Sequence, residues 1–261
     1  FDKKDLEIFL EKILECDKNF LFLNENYLIT EKKLLELEKF LEERKIWYSV
    51  AAIIWEKYFY WRKFIVNKNV LIPRDETEDL IRFILNKNIM STSTDGFSHL
   101  DNSTDGFIGN STDIFKNILD IWTWSWIIPI ILKLELENLN KKNNFNFFAC
   151  DISEKALSIA KINSEKLLNN SKNKINFFKS DLLKNIPEKI NKKFKQEWIF
   201  LITTNLPYVE EKFNIKKNKN PETVTIDTIS CEPDLALYSR EDWSDLYRKL
   251  LEELKNIKFK Y

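Results

Sequence analysis

The segment 117-NILDIWTWSWIIPIILKLEL-136 joins two apolar runs through a short loop. The first run, Asn117–Ile121, has the length and apolar character of a buried strand and carries Asp120 near its end. The second run, 127–136, has the length of a helix, with Pro129 in the first turn, where proline is tolerated. The segment therefore predicts a strand, a tight turn and a helix, which open a βαβ unit.

The chain downstream repeats this alternation. Apolar runs at 145–151, 175–181 and 198–205 predict three more strands, and Ser153 is a suitable N-cap for a helix after the first of these. Strands that alternate with helices predict a parallel sheet in an α/β fold. A last helix is predicted over 244–255, with no strand after it.

A polar residue stands at or just past the end of each predicted strand: Asp120, Asp151, Asp181 and Asn205. Each alone is explained as a turn-former or a helix cap. In an open α/β sheet, however, ligands bind beyond the carboxyl ends of the strands. Four polar residues in successive strand ends therefore predict a ligand site at one edge of the sheet.

The chain upstream is different in character. Residues 5–15 and 31–44 predict amphipathic helices, and Thr30 is a plausible N-cap for the second. Residues 57–72 predict two strands around a turn at Trp61, a position that suits glycine better than tryptophan.

These patterns predict an N-terminal helical domain over 1–56, a β-hairpin linker over 57–72 and a larger domain over 73–261. Residues 91–117 interrupt the last with the near-repeats STSTDGF, NSTDGF and NSTDIF, a composition typical of a flexible surface insertion. The single histidine, His99, lies there, so we expect no catalytic or metal role for it.

Composition excludes several classes of protein. Lys+Arg and Asp+Glu both number 41, so the net charge is zero. A zero net charge does not indicate direct nucleic-acid binding. The cysteines Cys16, Cys150 and Cys231 form neither a CxxC pair nor a metal-ligand spacing, which predicts reduced cytoplasmic thiols and no metal site. No apolar run approaches the roughly 18–20 residues of a membrane helix. The start at Phe1 rather than at methionine leads us to expect a fragment.

Glycine is unusually rare. The chain has 3 glycines and 8 tryptophans, whereas an average glycine content of about 7% gives roughly 18 glycines for this length. All three glycines lie in the insertion, at Gly96, Gly106 and Gly109. The rest of an α/β protein would therefore have no glycine for its sharp turns, some of which need a positive φ.

The loop after the first predicted strand shows the problem most clearly. Tryptophan at alternate positions, Trp122, Trp124 and Trp126, does not suit a tight strand-to-helix turn. With glycine at each, the stretch that includes Thr123 and Ser125 becomes DIGTGSG, a nucleotide-type loop in which absent side chains leave room for a cofactor.

The stretch VLIPRDETE at 70–78 resembles the LIPRPETE segment of the HemK-type protein-(glutamine-N5) methyltransferases. These enzymes modify the glutamine of the GGQ loop in peptide chain release factors. The resemblance covers most of residues 20–256. Its other motifs are the loop at 122–126, CDIS at 150–153, SD at 180–181, NLPY at 205–208 (the family's NPPY), EPDLAL at 232–237 and EDWSDLY at 241–247.

The family has glycine where this chain has several of its tryptophans. UGA specifies glycine in some genetic codes and tryptophan in others, so we hypothesise that the sequence was translated with the wrong code. The alternative is genuine tryptophan and an inactive pseudoenzyme. The family glycines correspond to Trp55, Trp61, Trp122, Trp124, Trp126 and Trp243, while Trp47 and Trp198 are compatible with glycine but less clearly marked.

The resemblance implies a class I S-adenosylmethionine-dependent methyltransferase with a Rossmann-like sheet. The family sheet has seven strands, so a chain that stops before the fifth is expected to be incomplete at its C-terminus. The resemblance also implies S-adenosylmethionine as cofactor. The cofactor would lie beside Asn205 and would contact the loop residues Trp122, Thr123, Trp124, Ser125 and Trp126. Its ribose hydroxyls would donate hydrogen bonds to Asp151. Its adenine would lie next to Asp181 and Leu182.

For catalysis, the resemblance implies that the Asn205 side-chain oxygen and the Leu206 carbonyl accept the two N–H groups of the substrate amide. Pro207 would hold the turn, and Tyr208 would pack against the amide. We expect Arg74 and Glu76 to help close the pocket.

Leu206 departs from the family, which usually has proline there. NLPY also occurs in ribosomal-RNA adenine dimethyltransferases, so methylation of an exocyclic amine on RNA or DNA stays open as an alternative. We expect a release factor as the partner. We expect no binding to a membrane, no direct binding to nucleic acid, and a monomeric protein.

Overall fold

The protein divides into two compact units. The first comprises residues 1–72 and 207–246, and the second comprises residues 73–206 and 247–261. The predicted division into 1–56, 57–72 and 73–261 stays a prediction. The computed structural model describes residues 2–46, 48–92, 117–122, 126–139, 145–169, 174–196, 200–210, 232–239 and 242–257.

The first unit opens with helices around a small apolar core. Phe9, Ile13, Leu37 and Ile53 are buried together there. Thr30 stands at the N-cap position of the third helix, as predicted, but its side chain makes no capping hydrogen bond. The predicted helices over 5–15 and 31–44 are confirmed, while the two shorter ones had no clear sequence pattern. The four are α1 (Lys3–Leu14), α2 (Lys18–Leu23), α3 (Glu31–Lys45) and α4 (Val50–Ile54).

A β-hairpin follows these helices, with the turn at the predicted place. Strands β1 (Glu56–Phe59) and β2 (Arg62–Ile65) are antiparallel. The turn residues Tyr60 and Trp61 both have positive φ, at 46° and 62°. Two such residues in a two-residue loop are the signature of a type I′ turn, whose twist matches that of the flanking strands.

The stretch 207–246 contributes three short elements to the first unit. They are β7 (Val209–Glu210), α9 (Asp234–Leu237) and β8 (Tyr238–Ser239). The two strands pair in parallel, and the Ser239 hydroxyl donates to the Val209 carbonyl at 3.1 Å.

The second unit is an α/β sheet. Its four strands are all parallel, in the order β5-β4-β3-β6, with helices between successive strands. All five residues of β3 are buried, as the apolar run at its centre predicts. The elements are α5 (Glu76–Thr92), β3 (Asn117–Ile121), α6 (Ile127–Leu139), β4 (Asn146–Asp151), α7 (Glu154–Leu167), β5 (Asn176–Lys179), α8 (Glu188–Gln196), β6 (Phe200–Thr204) and α10 (Asp245–Asn256).

Each predicted strand of this unit is present, within two residues of its predicted ends. The predicted fold class, a Rossmann-like α/β sheet of the class I methyltransferase type, is confirmed. The helices α5 and α8 were not predicted, because their sequences are mostly polar. No helix in the described part of the chain is long and apolar enough to cross a membrane.

Candidate active site

The order of the strands places the site at the carboxyl edge of the sheet. The chain adds β4 and β5 on one side of β3 and then returns to place β6 on the other side. The loops after β3 and β6 therefore leave from the switch point, where open α/β sheets bind ligands. Ile121 pairs with Thr204, whose hydroxyl donates to the Ile121 carbonyl at 2.8 Å. The segments that begin at Trp122 and Asn205 consequently start side by side.

The loop after β3 begins and ends with left-handed backbone. Trp122 has φ 56° and Trp126 has φ 55°. The Trp122 N–H donates to the Cys150 carbonyl at 2.8 Å, which ties the start of the loop to the end of β4. The predicted cofactor-binding residues Thr123, Trp124 and Ser125 lie outside the described residues.

Left-handed backbone recurs at other tryptophans that the resemblance assigns to glycine. Trp55 has φ 60° and Trp61 has φ 62°. A residue with a Cβ in this region is strained by roughly 1–2 kcal/mol, whereas glycine is not. Trp243 has no positive φ, so a glycine there rests on the resemblance alone. Four of the five described tryptophans therefore occupy backbone that favours glycine, while Trp47, Trp124 and Trp198 lie outside the described residues.

The two described loop indoles are buried. Trp122 is 6% exposed and Trp126 is 0% exposed. The Trp126 ring meets Phe177 of β5 edge to face, with centroids 5.2 Å apart. Among the described residues, no hydrogen-bond acceptor lies within reach of the Trp126 indole N–H. A buried donor without an acceptor is unfavourable, so tryptophan fits this position poorly in its side chain as well as in its backbone.

Asp151 ends β4 at the same edge. Its side chain is fully buried, and Oδ1 accepts a hydrogen bond from the Ser153 N–H at 2.8 Å. The Ser153 hydroxyl in turn caps α7, as predicted, by accepting from the Ala156 N–H at 3.2 Å. Asp151 therefore shapes the turn into α7, and its predicted contact with ribose hydroxyls stays a prediction.

Asp181 and Leu182 follow β5. Asp181 Oδ2 accepts from Lys184 Nζ at 2.7 Å and from Lys249 Nζ at 3.4 Å. Burial raises the pKa of Asp181, but the hydrogen bond from Lys184 and the two positive charges outweigh burial and lower the pKa below its ordinary value. Leu182 is buried with a left-handed φ of 52°. The loop therefore presents an ionised carboxylate beside an unusual backbone turn.

The predicted catalytic stretch leaves β6 beside the β3 loop. Asn205 is half-buried and its side chain makes no hydrogen bond within the described chain. Leu206 is fully buried, and both residues belong to the second unit. Pro207, which is buried, and Tyr208, which is 60% exposed, belong to the first unit. The Asn205 side chain is thus partly exposed at the switch point.

Several residues near the site had no sequence signal. The Thr203 hydroxyl donates to buried Asp120, which holds the carboxylate inside the sheet. Burial and the charges of Asp120 and Asp151 raise the pKa of the Cys150 thiol well above its ordinary value. The neutral thiol donates to the Leu182 carbonyl at 3.6 Å. These contacts join distant segments, so no local pattern indicates them.

Three of the polar strand-end residues, Asp151, Asp181 and Asn205, have the acceptor oxygens that an adenosyl cofactor needs. Asp181 and Asn205 are partly exposed, whereas Asp151 is fully buried, and Asp120 is buried inside the sheet rather than at the predicted edge site. The loop after β3 does not fit the cofactor as written, because the buried indoles of Trp122 and Trp126 stand where the backbone favours glycine. Glycine at these positions would leave room for the group. Arg74 is half-buried and Glu76 is exposed, and their part in the pocket stays a prediction.

The parallel sheet and its switch point have the architecture of the class I methyltransferase fold. No family model matches the sequence. Among solved structures, the chain is similar to the hMettl16 catalytic domain in complex with a 3′UTR hairpin, with a TM-score of 0.47 and 12% identity over 88% of this chain and 64% of that one.

Curated relatives make the assignment specific. The chain is 32% identical to the release factor glutamine methyltransferase of Flavobacterium psychrophilum, over 97% of this chain and 75% of the relative. It is also 32% identical to the protein of the same name from Leptospira interrogans, over 90% of this chain and 67% of the relative. The chain therefore belongs to the release factor glutamine methyltransferase family, the HemK-type enzymes.

Longer relatives share the same region. The chain is 32% identical to a protein named bifunctional methyltransferase from Rickettsia prowazekii, over 96% of this chain but only 43% of the relative. The chain thus spans less than half the length of the bifunctional relatives that it matches.

Proposed function

We propose that the protein transfers a methyl group from S-adenosylmethionine to the side-chain amide nitrogen of the GGQ glutamine in peptide chain release factors. The proposal includes glycine at the positions written Trp55, Trp61, Trp122, Trp124, Trp126 and Trp243. We call the chain with these six replacements the glycine form. The main support is the position of Asn205, half-buried at the switch point with an uncommitted amide.

The chemistry needs orientation more than acid–base catalysis. A primary amide nitrogen is a weak nucleophile because its lone pair is delocalised. The Asn205 side-chain oxygen and the Leu206 carbonyl are the two acceptors that would bind its N–H groups and stabilise the charge that develops on nitrogen. S-Adenosylmethionine, when bound, supplies the electrophilic methyl group.

The remaining residues of the proposed site divide between binding and positioning. Asp151 would accept hydrogen bonds from the ribose hydroxyls, because a carboxylate only accepts and both hydroxyls can donate. Asp181 and Leu182 would border the adenine, and Tyr208 would pack against the flat amide. The bare backbone of the loop at 122–126 would leave room for the methionine part.

Methyl transfer from tritium-labelled S-adenosylmethionine tests the substrate directly. We expect the glycine form to label a release factor and to lose that label when the GGQ glutamine is replaced by alanine. Label on RNA, with none on the release factor, would instead support the exocyclic-amine alternative that NLPY leaves open. Label on neither substrate would support the pseudoenzyme.

Asn205→Ala tests the proposed catalytic residue. Because it removes one of the two acceptors for the amide, we expect methyl transfer to fall by about 10²-fold or more. Asn256→Ala, at an exposed position of α10, is the matched control and should retain the parent rate. Equal rates for the two variants would remove Asn205 from the mechanism.

A further inference from the structure

Two side chains of α10 bind the loop that follows β5. Glu253 Oε2 accepts a hydrogen bond from the Leu183 N–H at 2.8 Å. Lys249 Nζ donates to Asp181 Oδ2 at 3.4 Å. Residues four apart lie on the same face of a helix, one turn from each other. One face of α10 therefore holds the loop at two nearby points.

The loop between these points has a demanding backbone. Leu182 has φ 52° and is 1% exposed. The Leu182 carbonyl accepts a hydrogen bond from the Cys150 thiol at 3.6 Å. The N–H of the same peptide group, that of Leu183, donates to Glu253. The Ser180 hydroxyl also accepts from the Asn185 N–H at 3.0 Å. Contacts from β4 on one side and α10 on the other thus hold Leu182 in a conformation that leucine does not favour.

The charges around Asp181 are arranged unevenly. Both lysines that bind this carboxylate, Lys184 and Lys249, donate to Oδ2. In the described part of the chain, no donor binds the other oxygen, Oδ1. The lysines therefore neutralise and orient the carboxylate, and they leave one oxygen as an acceptor for a ligand.

We propose that Glu253 and Lys249 are positioning residues for recognition of the adenosyl group. Glu253 fixes the peptide between Leu182 and Leu183, and Lys249 holds Asp181 so that Oδ1 remains the available acceptor. This inference rests on the proposed function, in which Asp181 and Leu182 border the adenine. It adds that α10, a helix remote from these residues in sequence, sets the affinity for the cofactor.

Substitutions at Glu253 separate positioning from folding. Glu253→Ala removes the acceptor for the Leu183 N–H, whereas Glu253→Gln keeps an oxygen at the same distance along the side chain. Glu252→Ala, at the exposed neighbouring position, is the matched control. The probe is S-adenosylhomocysteine, titrated into the glycine form and its variants by calorimetry. Amide hydrogen exchange at Leu183, measured without ligand, reports the contact itself.

We expect Glu253→Ala to weaken S-adenosylhomocysteine binding about tenfold or more, as expected for a lost hydrogen bond to a charged group. Exchange at Leu183 should accelerate in the same variant. Glu253→Gln should stay within about threefold of the parent affinity, because an acceptor remains. In methyl transfer, KM for the cofactor should rise while kcat is retained.

Lys249→Met tests the second contact. It keeps most of the aliphatic stem and removes the charge that holds Asp181, so binding should weaken several-fold. The loss should be larger at low salt, where partly exposed charges are less screened.

The outcomes separate this inference from the proposed function. Parent-like binding by Glu253→Ala overturns the inference, even if exchange at Leu183 accelerates, because the contact would then be structural only. A glycine form that binds no S-adenosylhomocysteine overturns the proposed function and, with it, an adenosyl role for α10. A glycine form that binds, with all variants equal to it, overturns the inference alone.

Discussion

At Trp61 a large, 89% exposed side chain occupies the second position of a type I′ turn, with φ 62°. Nothing in the packing of an exposed indole compensates for the close approach of Cβ to the backbone in this region. The sequence predicted glycine here from the turn, and the backbone supports that prediction independently of any relative. Trp55, Trp122 and Trp126 also combine a glycine position of the family with a positive φ. Random substitution in a pseudoenzyme would not select positions with positive φ, so the pseudoenzyme hypothesis explains these tryptophans poorly.

Trp61→Gly, made in the chain as written, tests this strain. We expect the free energy of unfolding to rise by about 1 kcal/mol, because relief of left-handed strain exceeds the added flexibility of glycine in the unfolded chain. Urea denaturation followed by circular dichroism measures the change.

Trp243→Gly is the matched control, since Trp243 is also exposed but has no positive φ. It should not stabilise the protein. A gain at Trp243 equal to that at Trp61 would mean that the loss of an exposed indole, and not the turn, accounts for the effect.

Among the elements, α7 begins with a cap that connects folding to the site. Ser153 caps the helix through its hydroxyl and donates its N–H to Asp151, so one residue fixes both the helix start and the carboxylate. Ser153→Ala should lower the free energy of unfolding by about 1 kcal/mol. Ser158→Ala, at an exposed position of the same helix, should change it much less. Equal losses in thermal or urea unfolding would count against the cap.

The loop after β5 predicts a dependence on pH. The pKa of Asp181 is below its ordinary value in the folded protein, so its ion pairs stabilise the fold above the unfolded pKa of about 3.9. That contribution is lost as the pH falls below this value, through the folded pKa. Asp181→Asn should therefore lose less stability between pH 7 and pH 3 than the parent does, as measured by urea midpoints.

Asn256→Ala, at an exposed position of α10, is the control for this comparison, because it changes no titratable group. It should lose as much stability over the same pH range as the parent does. If Asp181→Asn shows the same acid loss as the parent, the lysines do not stabilise the ionised carboxylate.

The elements differ in how far their sequences predicted them. The parallel strands were predictable because β3, β4 and β6 are apolar runs between turn signals, and the hairpin because a turn interrupts two short strands. The helices α5 and α8 are mostly polar, and α2 and α4 are too short for a clear period. The strands β7 and β8 have two residues each, and they pair only because tertiary contacts bring them together.

The site divides in the same way. Strand ends predicted Asp151, Asp181 and Asn205, since parallel strands end at one edge of the sheet. The roles of Thr203 and Glu253 were not predictable, because their partners Asp120 and Leu183 lie 83 and 70 residues away in sequence. Contacts at that separation leave no local pattern.

At the scale of the whole molecule, the chain combines a helical and hairpin unit with a methyltransferase sheet. The boundary between the units falls at Leu206 and Pro207, inside the predicted catalytic stretch. The two acceptors proposed for the amide, Asn205 and Leu206, belong to the second unit and directly follow β6. We propose that the N-terminal helical part of the chain, residues 1–56, recognises the release factor.

In the proposed function, the backbone after β3 is bare in the natural protein and binds an adenosyl cofactor. Calorimetric titration of S-adenosylhomocysteine into two proteins, the glycine form and the chain as written, tests it most directly. We expect micromolar binding by the glycine form and none by the chain with tryptophan. Micromolar binding by the tryptophan chain, or no binding by the glycine form, would contradict it.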